Sequence, residues 1–367
     1  MGYKICHVTS VHPYADVRIF KKECRSLSKK YEVVLIAPNV DDQVIDDVHV
    51  YGVKLPEGRA NRIKSLSRVY DKMVDVDADV YHFHDPELMK LGVKIKKKKH
   101  KIIIFDSHED VPQQILCKEW IPRIFRKPLS FVYGKYEKSK LQKYDALVSV
   151  TPAIVERLNR INPHTYQVTN YPAFTKIEGE RTWGKSVCFT GGVSEQYLHH
   201  EIISILQQTD ANYILAGPCH ISSYMDKLKS LHGWDRVDYR GVVPNEECFR
   251  IMQSSSAGLA LLFYSPNVGY KRGTLGVLKI FEYMMVGIPV ICTDFDLWKE
   301  IVEGNNCGIC VNPYDSKEIV KAINYLMENK DVALKMGDNG REAVRKFYNW
   351  ESQEKILFEM YDKILRS

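Results

Sequence analysis

A chain of 367 residues is longer than one compact core usually supports, so two domains are expected. With 45% hydrophobic and 27% charged residues the composition is that of a soluble globular protein, which excludes a disordered or low-complexity chain. The net charge of +6 is modest and forms no acidic or basic tail, and no apolar run reaches the ~20 residues that a membrane-spanning helix requires.

In chain order, the sequence enters a strand at Lys4–Thr9 with no signal-peptide core before it. A polar loop carrying His12 and Arg18 follows, then a helix over Arg18–Lys29 and a strand over Tyr31–Ala37. A helix is expected over Ile63–Val74, with strands over Asp79–Phe83 and Lys101–Asp106. Both strands run into His-rich ends, Tyr81-His-Phe-His-Asp-Pro-Glu87 and Phe105-Asp-Ser-His-Glu-Asp110. A helix over Leu129–Leu141 and a strand over Ala146–Val150 complete the first half.

The polar stretch Thr175–Lys185 breaks the pattern. Alternation then resumes with strands over Ser186–Thr190, Tyr213–Ala216, Val237–Arg240, Ala257–Leu262, Pro289–Thr293 and Gly308–Val311. Helices lie between them, including one that carries Lys279 and Glu282, and an amphipathic helix over Glu351–Leu365 ends the chain. Strand–helix alternation predicts parallel sheets covered on both faces. The expected organisation is an α/β fold of two tandem Rossmann-like, doubly wound domains facing a cleft. Residues 1–172 form the first, 173–185 a linker, 186–348 the second, and 349–367 a final helix crossing back to the first domain.

Nine scattered cysteines, several inside apolar strand-like runs, suit reduced thiols in the cytoplasm better than a disulfide framework. Positive charge gathers in the run Lys94–Lys101 and in the region Trp120–Lys143, where Arg and Lys alternate with Trp, Ile, Phe and Tyr. Such a region suits peripheral contact with an anionic membrane, or an amphipathic helix with solvated lysines. Nucleic acid is not expected, because no recognised nucleic-acid module accompanies the charge.

Lys279 and Glu282 are three residues apart, so both project from one helix face. A cation suits a diphosphate and a carboxylate suits a pair of ribose hydroxyls, although a solvated surface pair has the same spacing. Gly191-Gly192, after a strand and before a helix, lets backbone approach an anion at a helix N-terminus, and is neither a Walker loop nor a GxGxxG fingerprint. His82, His84 and Asp85 raise the question of a metal, but a single histidine contacting a sugar is the more economical use, so no metal is expected. Arg18 and His12 are candidates for a phosphate or acceptor contact, and Arg18 equally for a helix-start pair with Asp16.

Assembled, these segments resemble the retaining nucleotide-sugar glycosyltransferases of GT-B fold, specifically the family four group (glycosyl transferases group 1). The resemblance runs nearly end to end through His12–Glu23, His82–Leu88, Phe105–Asp110, Lys279–Met284, Gly287–Val290, Cys307–Pro313 and Asn349–Glu351. It implies a transferase that moves a sugar from a nucleotide-sugar, a UDP-sugar above others, to a glycan or lipid-linked acceptor. The implied setting is surface polysaccharide or glycolipid synthesis, with retention of configuration and no metal or other cofactor. The first domain would then bind the acceptor and the second the donor.

On this resemblance Glu282 holds the ribose, Lys279 lies near the diphosphate, Gly191 and Gly192 form the turn beneath it, and Val242 and Val243 flank the base. His108 is the catalytic histidine, and His12, Arg18, His84 and Glu109 line the acceptor side. Two positions depart from the family pattern: Thr274 stands where a glutamate is common, and Gly192 and His199-His200 stand where cations are common. Tyr264 or backbone N–H groups near Gly273–Gly276 are the expected substitutes for the first, and Lys271, Arg272 and Lys279 for the second. A nucleotide-sugar epimerase on the same fold and a non-catalytic nucleotide binder are the alternative readings.

Overall fold

The computed structural model describes residues 2–118, 120–175, 177 and 181–366, without the side chain of Asn267. Lys176, Glu178, Gly179 and Glu180 of the expected linker lie outside the described residues. The chain forms two compact units. One comprises the residues up to Asn170 together with the segment from Trp350 onward, and the other spans Tyr171–Asn349.

The first unit is built on an eight-stranded sheet of β1 (Lys4–Val8), β2 (Glu32–Pro38), β3 (Gln43–Ile45), β4 (Val48–Val53), β5 (Val80–Phe83), β6 (Ile102–Ser107), β7 (Ala146–Ser149) and β8 (Thr165–Gln167). Their order is β3-β4-β2-β1-β5-β6-β7-β8, parallel except for the β3–β4 pair. The strands are short runs of Val, Ile and Leu, as expected of a sheet buried on both faces. Alternation splits their side chains between two cores. Cys6, Val8, Tyr81, Phe83 and Phe105 pack on one face, and Ile5, Val33, Leu35, Val80 and Ile104 on the other.

The final helix, Trp350–Arg366, covers this second face with Trp350, Leu357, Met360 and Tyr361. Trp350 Nε1 donates to Ser26 Oγ at 2.8 Å, and the Gln353 side-chain oxygen accepts from the Thr169 N–H at 2.8 Å.

Where one helix is expected over Arg18–Lys29, the structure has a wide π-turn, Ile19–Cys24, followed by a short α-helical turn, Arg25–Leu27. Its bonds skip five residues, Lys21 N–H to Asp16 O and Glu23 N–H to Arg18 O. This brings Arg18 and Glu23 side by side. The sequence reading also missed the β3–β4 pair and the helices Met89–Lys99, Val111–Cys117 and Pro152–Asn159.

The second unit holds a six-stranded parallel sheet of β9 (Ser186–Thr190), β10 (Asn212–Ala216), β11 (Val237–Gly241), β12 (Ala257–Ala260), β13 (Val290–Thr293) and β14 (Gly308–Val311), in the order β11-β10-β9-β12-β13-β14. The helix Lys279–Val286 packs Ile280, Phe281, Tyr283 and Met284 into one core face. It stops at Gly287, which takes a left-handed φ of +86° as a C-terminal cap. The expected helix carrying Lys279 and Glu282 and the buried strand after it are therefore both present. Helices Asp296–Val302 and Lys330–Lys346 were not anticipated.

The closing helix belongs to the hydrophobic core of the first unit, and Leu357 within it is fully buried. A Leu357→Ala substitution is expected to destabilise that unit by about 2–5 kcal/mol. Denaturant unfolding measures the loss, and a change below about 0.5 kcal/mol would show that the helix is dispensable.

Candidate functional site

In the second unit the strand order reverses between β9 and β12. Ligands of open α/β sheets collect beyond the carboxyl ends of strands at such a switch point. Gly191 follows β9 directly, with a φ of +148° that side chains disfavour. A Cβ there would also run into Lys279 Nζ. The loops after β9, β10 and β11 are knitted together: the Gly191 N–H donates to Ala216 O at 2.7 Å, and the Gly217 N–H donates to Gly241 O at 2.6 Å. Gly217, at φ +139°, has the Gly191 carbonyl where a side chain would go. The sequence reading passed over it; its signal was a Gly-Pro pair closing an apolar strand. The space at Gly192 is open, Val242 is exposed and Val243 is half-buried.

Lys279 reaches from the first turn of its helix into this glycine turn. Its Nζ donates to the Thr190 carbonyl and stands 4.9 Å from the centre of the Phe189 ring. Burial pushes the ammonium pKa down, with Glu282 acting the other way. Glu282 is half-buried, and among the described residues no hydrogen bond or ion pair holds its carboxylate. A cation held only by a neutral carbonyl, on the same helix as an unengaged carboxylate, suits an anionic ligand that also carries hydroxyls.

The expected substitutes for the missing charges fare differently. Lys271 does not stand free for a diphosphate. Its Nζ forms an ion pair with Asp294 and donates to Tyr264 Oη at 2.7 Å, while the Tyr264 hydroxyl donates to Asp294. Asp294, at the end of β13, was not anticipated. Arg272 lies in a short 3-10 turn with Lys271. Thr274 Oγ1 accepts from the Gly276 N–H at 3.0 Å and its carbonyl accepts from Trp298 Nε1 at 2.7 Å, so its visible work is to shape the turn before the Lys279 helix.

In the first unit the reversal lies between β1 and β5, and the His-rich segments gather there. His84 is buried. Its Nδ1 is 3.2 Å from His108 Nε2 and its Nε2 is 2.9 Å from His7 Nδ1. Asp106 Oδ2 is 3.2 Å from His108 Nε2. Burial works to raise the Asp106 pKa, but Arg18 and His108 prevail and hold the carboxylate well below its usual range.

Arg18 corrects an expectation. It is buried and turned inward, donating to Asp106 Oδ2 at 2.7 Å and to Val168 O at 2.9 Å, with Glu23 at 3.2 Å, so its guanidinium offers no acceptor contact. Asp16 does mark the helix start, but by accepting the backbone N–H groups of Arg18 and Ile19, each at 2.8 Å.

His12 remains partly exposed, with its ring 5.1 Å from that of His108. A hydrogen bond to Asp16 outweighs burial and raises its pKa, and Asp85 adds to the effect. His108 is also partly open, so these two histidines lead the cluster toward solvent. Glu109 is exposed beside Gln114. Two sets here bring ligand atoms close enough for a metal: His84 with Asp106 and His108, and His7 with Glu23, His82 and His84. Nothing in the sequence reading singled out His7 or Glu23, since His7 sits inside a strand and Glu23 inside a helical pattern.

The Lys94–Lys101 run is less free than its sequence suggests. Lys94 lies 3.5 Å from the centre of the Tyr70 ring, Lys96 pairs with Asp145 at 2.6 Å and Lys101 with Asp77 at 3.1 Å. The helix Arg123–Leu141 and Trp120, three residues before it, present a different surface: Trp120, Ile124, Phe125, Phe131 and Val132 are each more than half exposed. No described helix is long and apolar enough to cross a membrane.

Two doubly wound units, each with candidate ligand residues at its switch point, match the architecture of the GT-B fold. Residues 174–343 match the family model of the glycosyl transferases group 1, and residues 18–168 match that of glycosyltransferase family 4. The chain belongs to the group 1 glycosyltransferases, and it is a glycosyltransferase. It is 22% identical over 312 residues to a phosphatidyl-myo-inositol mannosyltransferase of Mycobacterium leprae, covering 82% of this chain and 78% of the relative.

Among solved structures, a sucrose-phosphate synthase from Thermosynechococcus elongatus superposes with a TM-score of 0.75 at 14% identity over 99% of both chains. Anabaena HepE, solved in complex with UDP and glucose, has a TM-score of 0.68 at 13% identity, covering 98% of this chain and 100% of that one.

Relative to the family pattern, His199 does not replace a missing cation. It is buried with Nδ1 2.9 Å from Tyr213 Oη, and burial, helped by Lys279, lowers its pKa to about 3. The unfolded chain therefore binds a proton that the folded chain refuses between about pH 6.5 and 3, so stability must fall as pH drops through that window. The slope from this residue alone reaches about 1.4 kcal/mol per pH unit. His199→Gln is expected to remove this component, as measured by chemical denaturation across pH. An unchanged slope would mean that His199 is protonated in the fold.

Proposed function

We propose that the second unit binds a nucleotide-sugar, with a UDP-sugar as the leading candidate. The transferred sugar goes to a glycan or lipid-linked acceptor of surface polysaccharide or glycolipid synthesis. Configuration is retained and no metal takes part in the transfer. The observation that carries this reading is Lys279 seated in the Gly191 turn, with the Glu282 carboxylate unengaged on the same helix. The relatives named for mannosyl transfer to a phosphatidylinositol and for complexes with UDP and glucose support it.

In this reading the diphosphate takes up the Lys279 ammonium and the unbonded N–H groups of the first helical turn, while Glu282 accepts from the two ribose hydroxyls. The cation is already in place when negative charge develops on the departing diphosphate, so its stabilisation costs little reorganisation. The leaving phosphate helps to deprotonate the acceptor, which attacks from the same face. His108, the more exposed of the histidines joined to Asp106, is assigned to the reacting groups.

Glu282→Ala is expected to keep the fold and weaken nucleotide binding by at least about 10- to 100-fold, the worth of one hydrogen bond to a charged group. His108→Ala should lower turnover with little change in nucleotide affinity. Calorimetric titration with UDP, GDP and ADP, beside product analysis with and without acceptor, reads both variants. Normal affinity in the Glu282 variant would remove the ribose assignment, and product formed without acceptor would favour epimerisation.

We also propose that the exposed apolar and basic side chains around the helix Arg123–Leu141 rest on an anionic membrane surface, where the acceptor would be found. Flotation with anionic liposomes is expected to carry the protein upward, and substitution of Trp120, Ile124 and Phe125 by serine to abolish this. Equal flotation of variant and parent would place the contact elsewhere.

A further inference from the structure

The first unit buries a set of ligating side chains that the transfer reaction does not use. His7 on β1 stands opposite His82 on β5 in the sheet register, His84 follows β5, and Glu23 comes from the π-turn. All four are buried, at 0% to 1% exposure. One ligand atom from each lies within 4.8 Å of the others. The cluster is also short of hydrogen-bond partners. His7 Nε2, His82 Nε2, both oxygens of Glu23 and Asp106 Oδ1 are buried with none. Buried polar atoms are rarely left in this state; of these, Glu23 Oε2 and His82 Nε2 are the two that one ion shared by the four side chains could meet.

The geometry points to the occupant. His7 Nδ1, His84 Nε2 and Glu23 Oε2 are separated by 2.9, 3.8 and 4.0 Å. A single point about 2.1 Å from all three lies in their plane, and that is the length of a zinc–nitrogen or zinc–oxygen bond. His82 supplies a fourth ligand through its unpaired Nε2, its Nδ1 being 2.9 Å from Tyr361 Oη. We propose that His7, Glu23, His82 and His84 form a closed structural site for a divalent transition ion, with zinc(II) the best fit. Three imidazoles and one carboxylate suit zinc and its neighbours far better than magnesium or calcium, which take oxygen ligands.

For His84 and His82 the surroundings are those of a metal site. His84 turns its other nitrogen toward Asp106 Oδ2, at 3.5 Å, and Asp106 is held by Arg18. His82 is oriented by the Tyr361 hydroxyl, so the closing helix supplies part of the second layer. Such outer partners fix the ring orientation and raise the basicity of the ligand. Arg18 Nη2, 3.2 Å from Glu23 Oε1, faces the oxygen that the metal does not take. A tetrahedral ion would sit out of that plane, so binding would widen the 2.9 Å pair of nitrogens and draw Glu23 Oε2 in from 3.8 and 4.0 Å, toward a common edge of about 3.4 Å. Burial on every side leaves no open coordination position, so the ion would brace β1, β5, the π-turn and the last helix, and would not act on substrate.

The test uses the full chain without a histidine tag. Elemental analysis after purification should find about one zinc per chain, and chelation should lower the melting temperature until zinc is restored. Cobalt(II) added to the stripped protein should give the visible absorption of a tetrahedral site. His82→Gln and Glu23→Gln should lower metal content at least tenfold, and Tyr361→Phe, which keeps the packing, should weaken affinity by about 10-fold or more.

A protein that carries no metal, takes up no cobalt and gains no thermal stability from zinc would overturn the proposal and leave ordered water as the partner of these atoms. Metal retained by folded His82→Gln and Glu23→Gln proteins would overturn it as well. If those variants fail to fold, the cobalt spectrum and zinc content of the parent chain still decide.

Discussion

Arg18 is a guanidinium taken out of water, and much of the first unit follows from what keeps it there. A buried cation is tolerated only when its charge and its N–H groups are met. Asp106 at the end of β6 and the carbonyl of Val168 accept from Nε and Nη1, and Glu23 from the π-turn balances the charge beside Nη2. Each comes from a different part of the chain, so the ion group fixes the π-turn against the sheet. It also fixes Asp106, and Asp106 in turn positions His84 and His108. His108 is thus held at one remove by a charge buried away from solvent.

The second unit solves a related problem with the opposite outcome. Lys279 is drawn under the glycine turn and given only a carbonyl, so its charge is left under-compensated. The Arg18 group is closed and the Lys279 group is open. The difference is physical: Arg18 has two carboxylates at contact distance, whereas Glu282 acts on Lys279 only through the longer-range field. A site prepared for an anion need contain no more than a cation denied its natural partner.

The alternation of apolar strands and helices made the second sheet legible, and β1, β2, β5, β6 and β7 of the first but not β3, β4 or β8, along with the Lys279 helix and the turn after β9, because these depend on local periodicity and turn chemistry. Contacts between distant segments were not legible. Nothing near Lys271 in sequence announces Asp294, and nothing near His7 announces Glu23. Arg18 looked like a surface residue because its partners lie 88 and 150 positions away. The lysine run looked like a free patch because Tyr70, Asp77 and Asp145 come from other elements. The π-turn escaped because its five-residue bond step leaves no periodic signature over so few residues.

The first unit is completed by the last residues of the chain, and the second is inserted within it. The ends of the insert meet, with the rings of Tyr171 and Tyr348 5.6 Å apart. During synthesis the insert is therefore whole before its host is. When Asn349 has emerged, the second unit has every strand and helix it needs, while the first still exposes the apolar face that awaits Trp350, Leu357 and Tyr361. An incomplete face of that kind invites aggregation. The order of translation thus makes the nascent first unit the vulnerable partner until the helix Trp350–Arg366 has emerged.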